Sequence, residues 1–159
     1  MNDDAKKKLL RMIPHALYVL TSQANGKNAA STVSWVTQAS FQPPLIAVGL
    51  KKDSVTLQVV KEAKTFALNF LGEGQKDIAQ KFFKHVEPEG GSIAGEAFQP
   101  SPLYKHPFFP HLAGFVECKV VEVVDKGDHS VVVAEVVGAE PGKVNGPLLL
   151  SSTEWQYGG

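Results

Sequence analysis

Apolar and polar side chains alternate along residues 31–41, and this period of two limits the fold more than any other feature of the chain. The odd positions are apolar except Ser31 and Thr37, and the apolar ones are Val33, Trp35, Ala39 and Phe41. The even positions are small and polar except Val36, and they are Thr32, Ser34, Gln38 and Ser40. Such alternation predicts a half-buried strand. The polar face carries neutral hydroxyls and an amide but no Lys or Glu, which favours close hydrogen bonding to a ligand.

Several other runs are typical of strands, and tight turns separate them. An Asn25-Gly26 turn follows the run at residues 15–22 and precedes a strand predicted over residues 29–41. The remaining runs occupy residues 45–50, 65–71, 113–124 and 130–140, with two short ones at 147–150 and 153–157. Many strands with few helices predict a mainly β fold, an antiparallel barrel with helical insertions, in a single domain over residues 1–159.

Three segments have helical patterns. The N-terminal segment 1–13 is predicted to be helical from Asp3, and Pro14 ends that helix. The others are predicted over residues 55–63 and 75–85. The segment 87–110 is rich in proline and glycine and has no period, which predicts a long ordered surface loop of the kind that is often functional or mobile.

Charge and cysteine content exclude several classes of protein. Sixteen basic residues balance sixteen acidic ones, which argues against a nucleic-acid binder. The single Cys118 cannot form an internal disulfide, and its apolar surroundings in the sequence predict a buried, inert thiol. No apolar run is long enough to span a membrane, and the acidic N-terminus is unlike a signal peptide. We therefore expect a cytoplasmic protein that binds neither membranes nor nucleic acid.

Familiar catalytic motifs are missing from the sequence. There is no G-x-S-x-G elbow of a hydrolase and no G-x-G-x-x-G fingerprint of a Rossmann site. The five histidines are not spaced as metal ligands, and no metal site is predicted; they are His15, His85, His106, His111 and His129.

Two short stretches are compatible with chemistry, and each also has a purely structural interpretation. KKDSVT, residues 51–56, leaves a strand and starts a helix with two hydroxyls in its first turn, an arrangement that favours a phosphate. In the structural alternative, Asp53 or Ser54 is only the N-cap of the helix. GDH, residues 127–129, is a turn whose His129 either begins the next strand or serves proton transfer or anion contact.

The order of these pieces resembles the flavin reductase-like family of FMN-binding split barrels, from about residue 12 to residue 157. The landmarks are STVSWVTQASFQPPLIAVGL, KKDSVT, TFALNFL, DIAQKFF and LAGFVECKVVEVVDKGDHSVVVAEVV. The stretch SWVTQASF is especially similar to the flavin reductase module of cyanobacterial flavodiiron proteins. The resemblance implies an antiparallel Greek-key split β-barrel that binds FMN.

The resemblance also implies site residues. Four features of the family contribute to the implied cofactor site: a strand beside the cofactor, a phosphate-binding turn, a residue near the ring and a basic-aromatic pair. The implied cofactor-binding residues are Thr32, Val33, Ser34, Trp35, Lys51, Ser54, Thr56, Asn69, Lys81 and Phe82. His129, in the family's GDH turn, is the candidate catalytic residue. The sequence departs from many members at Ala30-Ser31 and at Trp35. Trp35 would either stack near the flavin or narrow the nicotinamide pocket.

The activity that the resemblance implies is hydride transfer from NADH or NADPH to N5 of FMN, with FAD as the alternative flavin. One rival is an electron-carrier flavoprotein that a protein partner reduces, and another is a cofactor-free binding or structural barrel. The resemblance further implies a homodimer and a monooxygenase or electron carrier as partner.

Overall fold

A computed structural model of the protein describes residues 1–143 and 146–159. Its helices are α1 (Asp3–Leu10), α2 (Val55–Ala63) and α3 (Lys76–Lys81), and a 3-10 turn covers Leu150–Ser152. Its strands are β1 (Tyr18–Ala24), β2 (Lys27–Val33), β3 (Val36–Ser40), β4 (Leu45–Lys51), β5 (Thr65–Phe70), β6 (Ser92–Ile93), β7 (Glu96–Ala97), β8 (Gln99–Pro100), β9 (Pro107–Phe108), β10 (Gly114–Val124) and β11 (His129–Pro141).

Seven strands form one antiparallel sheet in the order β2-β1-β5-β10-β11-β4-β3. The predicted mainly β class with a large antiparallel sheet is confirmed. The β1–β2 hairpin turns at Asn25 and Gly26, both with positive φ, and this backbone matches the twist of a two-residue hairpin. Strands β10 and β11 form the longest pair and carry the register shifts that bend the sheet.

The core divides into two clusters on the sheet. The first includes Leu20, Val48 and Phe66, and Leu57 and Val60 of α2 close it. The second lies near α3 and the proline-rich loop, and its buried members are Leu17, Val19, Ala30, Leu71, Ala79, Phe82, Ile93, Phe109, Leu112 and Leu148. Cys118 is buried in the first cluster, where desolvation raises the pKa of its thiol to about 12.

The predicted single strand over residues 29–41 is wrong. Strand β2 ends at Val33 and pairs with β1, whereas β3 begins at Val36 and pairs with β4. Ser34 and Trp35 therefore join the two opposite edges of the sheet. Because the strand changes partners here, its alternation does not keep one face buried, and Phe41 is 95% exposed.

The segment 87–110 contains only the short strands β6 to β9, and two buried polar residues hold it to the sheet. The carboxylate of Glu117 accepts hydrogen bonds from the Ser101 hydroxyl and from the backbone N–H groups of Leu103 (3.0 Å) and Tyr104 (2.9 Å). His106 accepts from the backbone N–H of Gln23 at 3.1 Å and bonds the Thr65 hydroxyl at 2.8 Å. The loop is thus ordered by contacts with β1, β5 and β10.

Several predicted boundaries also change. Helix α1 is shorter than the predicted segment 1–13, and α3 is shorter than the predicted 75–85. The short runs near the end of the chain were predicted as strands, but residues 147–150 make isolated bridges and 153–157 are irregular. Across residues 1–143 and 146–159 no helix is long and apolar enough to cross a membrane. In the same residues no three metal-binding side chains come together.

Candidate functional site

A cavity of about 490 Å³ opens between β2, β4, the start of α2 and the irregular segment that follows the 3-10 turn. Its wall consists of Leu17, Ser31, Thr32, Val33, Ser34, Trp35, Gly49, Leu50, Lys51, Ser54, Thr56, Phe83, Leu150, Trp155, Gln156 and Tyr157. Of the neutral polar residues that the sequence singled out, Thr32 and Ser34 line this cavity, whereas Gln38 and Ser40 line a separate groove.

Hydroxyl groups of β2 are held in place by neighbouring elements. The hydroxyls of Ser31 and Thr56 lie 2.5 Å apart and link β2 to the first turn of α2. Thr32 donates its hydroxyl proton to the carbonyl of Ala79 at 2.6 Å, and its backbone N–H donates to the carbonyl of Phe82. Because these hydroxyls are already fixed, binding of a ligand to them costs less side-chain entropy than binding to freely rotating hydroxyls.

Ser54 is the N-cap of α2, which decides between the two cap candidates of the sequence. Its hydroxyl accepts from the N–H of Leu57 at 3.1 Å and donates to the carbonyl of Lys51 at 2.7 Å. The first-turn N–H groups of a helix have no acceptor inside the helix, and the helix dipole makes that end partly positive. Lys51 adds a charge beside it, although Asp53 lies 3.6 Å from its ammonium group.

Trp35 lies flat against β4 because Gly49 leaves room for its ring. A Cβ at Gly49 would be 3.1 Å from Cε3 of Trp35, which is closer than side chains normally approach. The ring also contacts His129, at 4.4 Å between centroids, and Tyr157, at 5.2 Å with an interplanar angle of 63°. Trp35 is thus enclosed by its own chain on several sides.

His129 reaches the cavity through Tyr157. Its Nδ1 lies 2.8 Å from the Asp128 carboxylate and its Nε2 lies 2.6 Å from the Tyr157 hydroxyl. If Nδ1 donates to the carboxylate, Nε2 accepts the proton of the tyrosine. Burial, followed by the charges of Asp128 and Asp53, raises the pKa of Tyr157, so its hydroxyl keeps the proton. The hydrogen bond with His129 lowers the pKa of Asp128.

The structure brings seven of the ten sequence-predicted cofactor residues to the cavity wall, and they are Thr32, Val33, Ser34, Trp35, Lys51, Ser54 and Thr56. Asn69 is fully buried instead, where its amide donates to the carbonyl of Val19 at 3.0 Å and accepts from the N–H of Phe109. Its hydrogen-bonding groups are therefore used to hold strands and loop together.

The basic-aromatic pair is also placed away from the wall. The ammonium of Lys81 pairs with Glu96 at 2.8 Å. Phe82 is buried against Phe109, with ring centroids 5.3 Å apart. The next residue, Phe83, is the one that faces the cavity, because α3 ends at Lys81 and the backbone turns there.

Sequence reasoning missed the wall residues that come from distant parts of the chain. They include Leu17, Ser31, Gly49, Phe83, Leu150, Trp155, Gln156 and Tyr157. Two signals were available: Ser31 continues the row of hydroxyls on β2, and the run TEWQY places two aromatic residues in a short polar stretch. The second was interpreted as a strand, which concealed its place beside the cavity.

Comparison with known proteins identifies the family. The family model described as "Flavin reductase like domain" matches residues 10–158. Diflavin flavoprotein A 1 of Synechocystis sp. is 30% identical over 145 residues, which are 91% of this chain and 25% of that protein. The chain spans between 25% and 60% of the length of the first three curated relatives.

Solved structures agree with the fold. Nitrilotriacetate monooxygenase component B from Mycobacterium thermoresistibile superposes with a TM-score of 0.79 at 24% identity, over 93% of this chain and 82% of that one. The NADH:FAD oxidoreductase of Streptomyces globisporus, in complex with NAD and FAD fragments, has a TM-score of 0.77 at 23% identity, over 86% and 81%. With a family model that matches nearly its whole length, this chain belongs to the flavin reductase-like domain family.

Proposed function

We propose that the chain binds FMN in this cavity and acts as an NAD(P)H:flavin oxidoreductase, in which a nicotinamide passes a hydride to N5 of the flavin. The observation that carries the proposal is a cavity of about 490 Å³ whose wall combines hydroxyls and a helix start with a separate group of aromatic side chains. An FMN molecule has the same two parts, an anionic phosphate and a flat, largely apolar ring system.

The phosphate would lie at the start of α2. Thr56 offers a hydroxyl there, Ser54 lies beside it with its own proton donated to the Lys51 carbonyl, the helix offers N–H groups, and Lys51 offers a positive charge. Ser31 and Thr56 already share a hydrogen bond, so both oxygens are fixed before the ligand arrives. These residues fit a phosphomonoester better than a neutral ligand.

The ring system would lie against the apolar part of the wall. Leu17, Val33 and Trp155 supply flat or aliphatic surface, and the backbone of β2 near Ser34 supplies hydrogen-bonding groups. The flavin, when bound, supplies the hydride chemistry. The residues of this chain need only hold two rings in contact and exclude water from between them.

His129 takes no direct part as acid or base in this proposal. Its two ring nitrogens are engaged by Asp128 and Tyr157, so it acts by positioning the tyrosine. This is a narrower role than the catalytic one that the resemblance implied for His129.

A homodimer is part of the proposal. Phe41 is 95% exposed beside a groove of about 470 Å³, and the apolar side chains of that groove include Tyr18, Val36, Leu45, Leu68, Phe70, Val116 and Val136. Apolar surface of this kind is typical of protein interfaces. The protein that takes up the reduced flavin would be a monooxygenase, because relatives in the family are components of monooxygenase systems. The alternative acceptor is an electron carrier.

The rival function is an electron carrier that holds FMN and receives electrons from a protein. One observation favours it: Trp35 and Tyr157 contact each other where a nicotinamide would need room. The experiment that separates the two functions is anaerobic mixing of the purified protein and FMN with NADH and then with NADPH, followed by flavin absorbance. FAD replaces FMN in a parallel series.

We expect the flavin absorbance to bleach with one of the two nucleotides, because the reductase needs no protein partner. Binding of FMN without bleaching would contradict the reductase and favour the carrier. Failure of the protein to bind any flavin would contradict both and leave the cofactor-free barrel.

A further inference from the structure

Residues 154–158, which we term the strap, form one wall of the cavity and are attached almost entirely by side chains. Within the described residues, no backbone group of the strap bonds to another backbone group, and the N–H of Trp155 donates to the Thr153 hydroxyl at 3.1 Å. This distinguishes the strap from the rest of the wall, where strands β2 and β4 are bonded along their length.

Three residues from distant elements hold the strap. Arg11, which follows α1, donates to the Gln156 side-chain oxygen at 2.5 Å and to the Gly158 carbonyl at 3.0 Å. Lys76 of α3 pairs with Glu154, and His129 bonds Tyr157. These contacts lie at the surface, where hydrogen bonds and ion pairs contribute little because water competes for the same groups. Residues 156–158 can therefore leave their position at small cost, whereas Trp155 stays in place because it packs against Phe83 and the second core cluster.

The strap covers the ring of Trp35 on the side away from β4. Tyr157 contacts that ring edge to face, and a Cβ at Gly158 would be 3.2 Å from Cζ2 of Trp35. Gly49 lies against the ring from β4, and His129 contacts it as well. A second flat ring can stack on Trp35 only if Tyr157 and Gly158 move away.

We propose that Tyr157 is a specificity-determining residue, which occupies the place of the nicotinamide ring beside Trp35 until the donor displaces the strap. This inference rests on the proposed function, since it assumes that a flavin and a nicotinamide meet in the cavity. The apparent affinity for the donor is then the intrinsic affinity multiplied by the fraction of time that the strap is open. Flavin binding depends on β2, on α2 and on Trp155, which stays packed against Phe83 and the second core cluster when Tyr157 and Gly158 move.

The test compares Arg11→Ala and Tyr157→Phe with the wild-type protein, and Lys8→Ala, in the helix α1 that precedes Arg11, is the matched control. Arg11→Ala removes two bonds to the strap, and Tyr157→Phe removes the bond to His129 while keeping the ring. The measurements are the Kd for FMN by fluorescence, the Kd for NAD+ on the FMN complex, the KM for the donor, and amide exchange of residues 154–158.

We expect Tyr157→Phe, which loses one hydrogen bond that holds the closed form, to bind NAD+ and the donor about fivefold more tightly, and Arg11→Ala, which loses two, to show at least the same gain. The Kd for FMN should stay within about twofold of the wild-type value. Strap amides should exchange faster in both variants, and NAD+ should accelerate their exchange in the wild-type protein. Lys8→Ala should change none of these quantities.

Weaker or unchanged NAD+ binding in variants whose strap exchanges faster would overturn the inference, because Tyr157 would then be a contact for the donor or unrelated to it. Protection of the strap by NAD+ would overturn it as well. The proposed function fails separately, and its failure is read from the wild-type protein alone, as an absence of flavin binding or as a bound flavin that neither NADH nor NADPH reduces.

Discussion

Ser54 contributes both to the local structure and to the proposed function. It caps α2 through Leu57, and it also faces the cavity. The sequence could show that Asp53 or Ser54 caps a helix, but a cap and a phosphate ligand use the same residue types. Only the fold shows that the helix starts at a cavity wall.

Ser54→Asp should weaken FMN binding strongly, because it places a carboxylate against the phosphate. Aspartate is as good an N-cap as serine, so the helix should remain intact. Ser54→Ala is the matched control: it should cost about 1 kcal/mol of stability through the lost cap, with less effect on FMN. Titration of each variant with FMN and urea unfolding measure both effects. Equal FMN affinity of Ser54→Asp and the wild-type protein would rule out the phosphate assignment.

Trp35 shows the limit of sequence reasoning at the same scale. The family resemblance implied that Trp35 lies near the flavin ring, and Trp35 does line the cavity. The enclosing partners are Gly49, His129 and Tyr157, and the last of these is 122 residues away along the chain. Contacts at that separation leave no local pattern, so the enclosure could not be predicted.

Elements with a strong period were predicted well. Helix α2 has the predicted bounds 55–63, and β4, β5, β10 and β11 lie in the predicted runs. The prediction of one strand over residues 29–41 was wrong because alternation indicates a strand conformation but not which strands pair. The pairing partner changes at Ser34 and Trp35. Asn69 was a cofactor candidate only through the family resemblance, and nothing in the local sequence shows that its amide bonds Val19 and Phe109 inside the core.

The proline-rich loop depends on His106, and this gives a pH effect on stability. Burial lowers the pKa of His106, and the charge of Glu117 and the bond to Thr65 offset part of that change. The folded state thus favours the neutral imidazole. Its contribution to the free energy of unfolding is complete above the ordinary histidine pKa and is lost as the pH falls through the lowered pKa of the folded state.

We expect the free energy of unfolding in urea to fall between about pH 7 and about pH 5, and His106→Gln should remove part of that fall. The exposed His85 is the matched control, as His85→Gln leaves the buried site intact. A pH dependence that is the same in His106→Gln and the wild-type protein would contradict this account.

At the scale of the whole molecule, Phe41 and the neighbouring groove predict a homodimer. Phe41→Glu places a charge on that surface and should shift the protein toward the monomer in analytical ultracentrifugation. Val121, an exposed apolar residue of β10, gives the control Val121→Glu. A wild-type monomer, or a Phe41→Glu dimer as stable as the wild type, would contradict the interface.

Ser34 and Trp35 connect strands that stand at opposite edges of the sheet, and among the described residues no ladder joins β2 to β3. The cavity lies at this junction. A molecule bound there touches β2 at one edge and β4, the neighbour of β3 at the other edge, and supplies contacts that the backbone does not make between these two sides of the sheet. Binding of the ligand and closure of the barrel are then thermodynamically coupled. A higher concentration of free ligand therefore also stabilises the association of the two edges of the sheet.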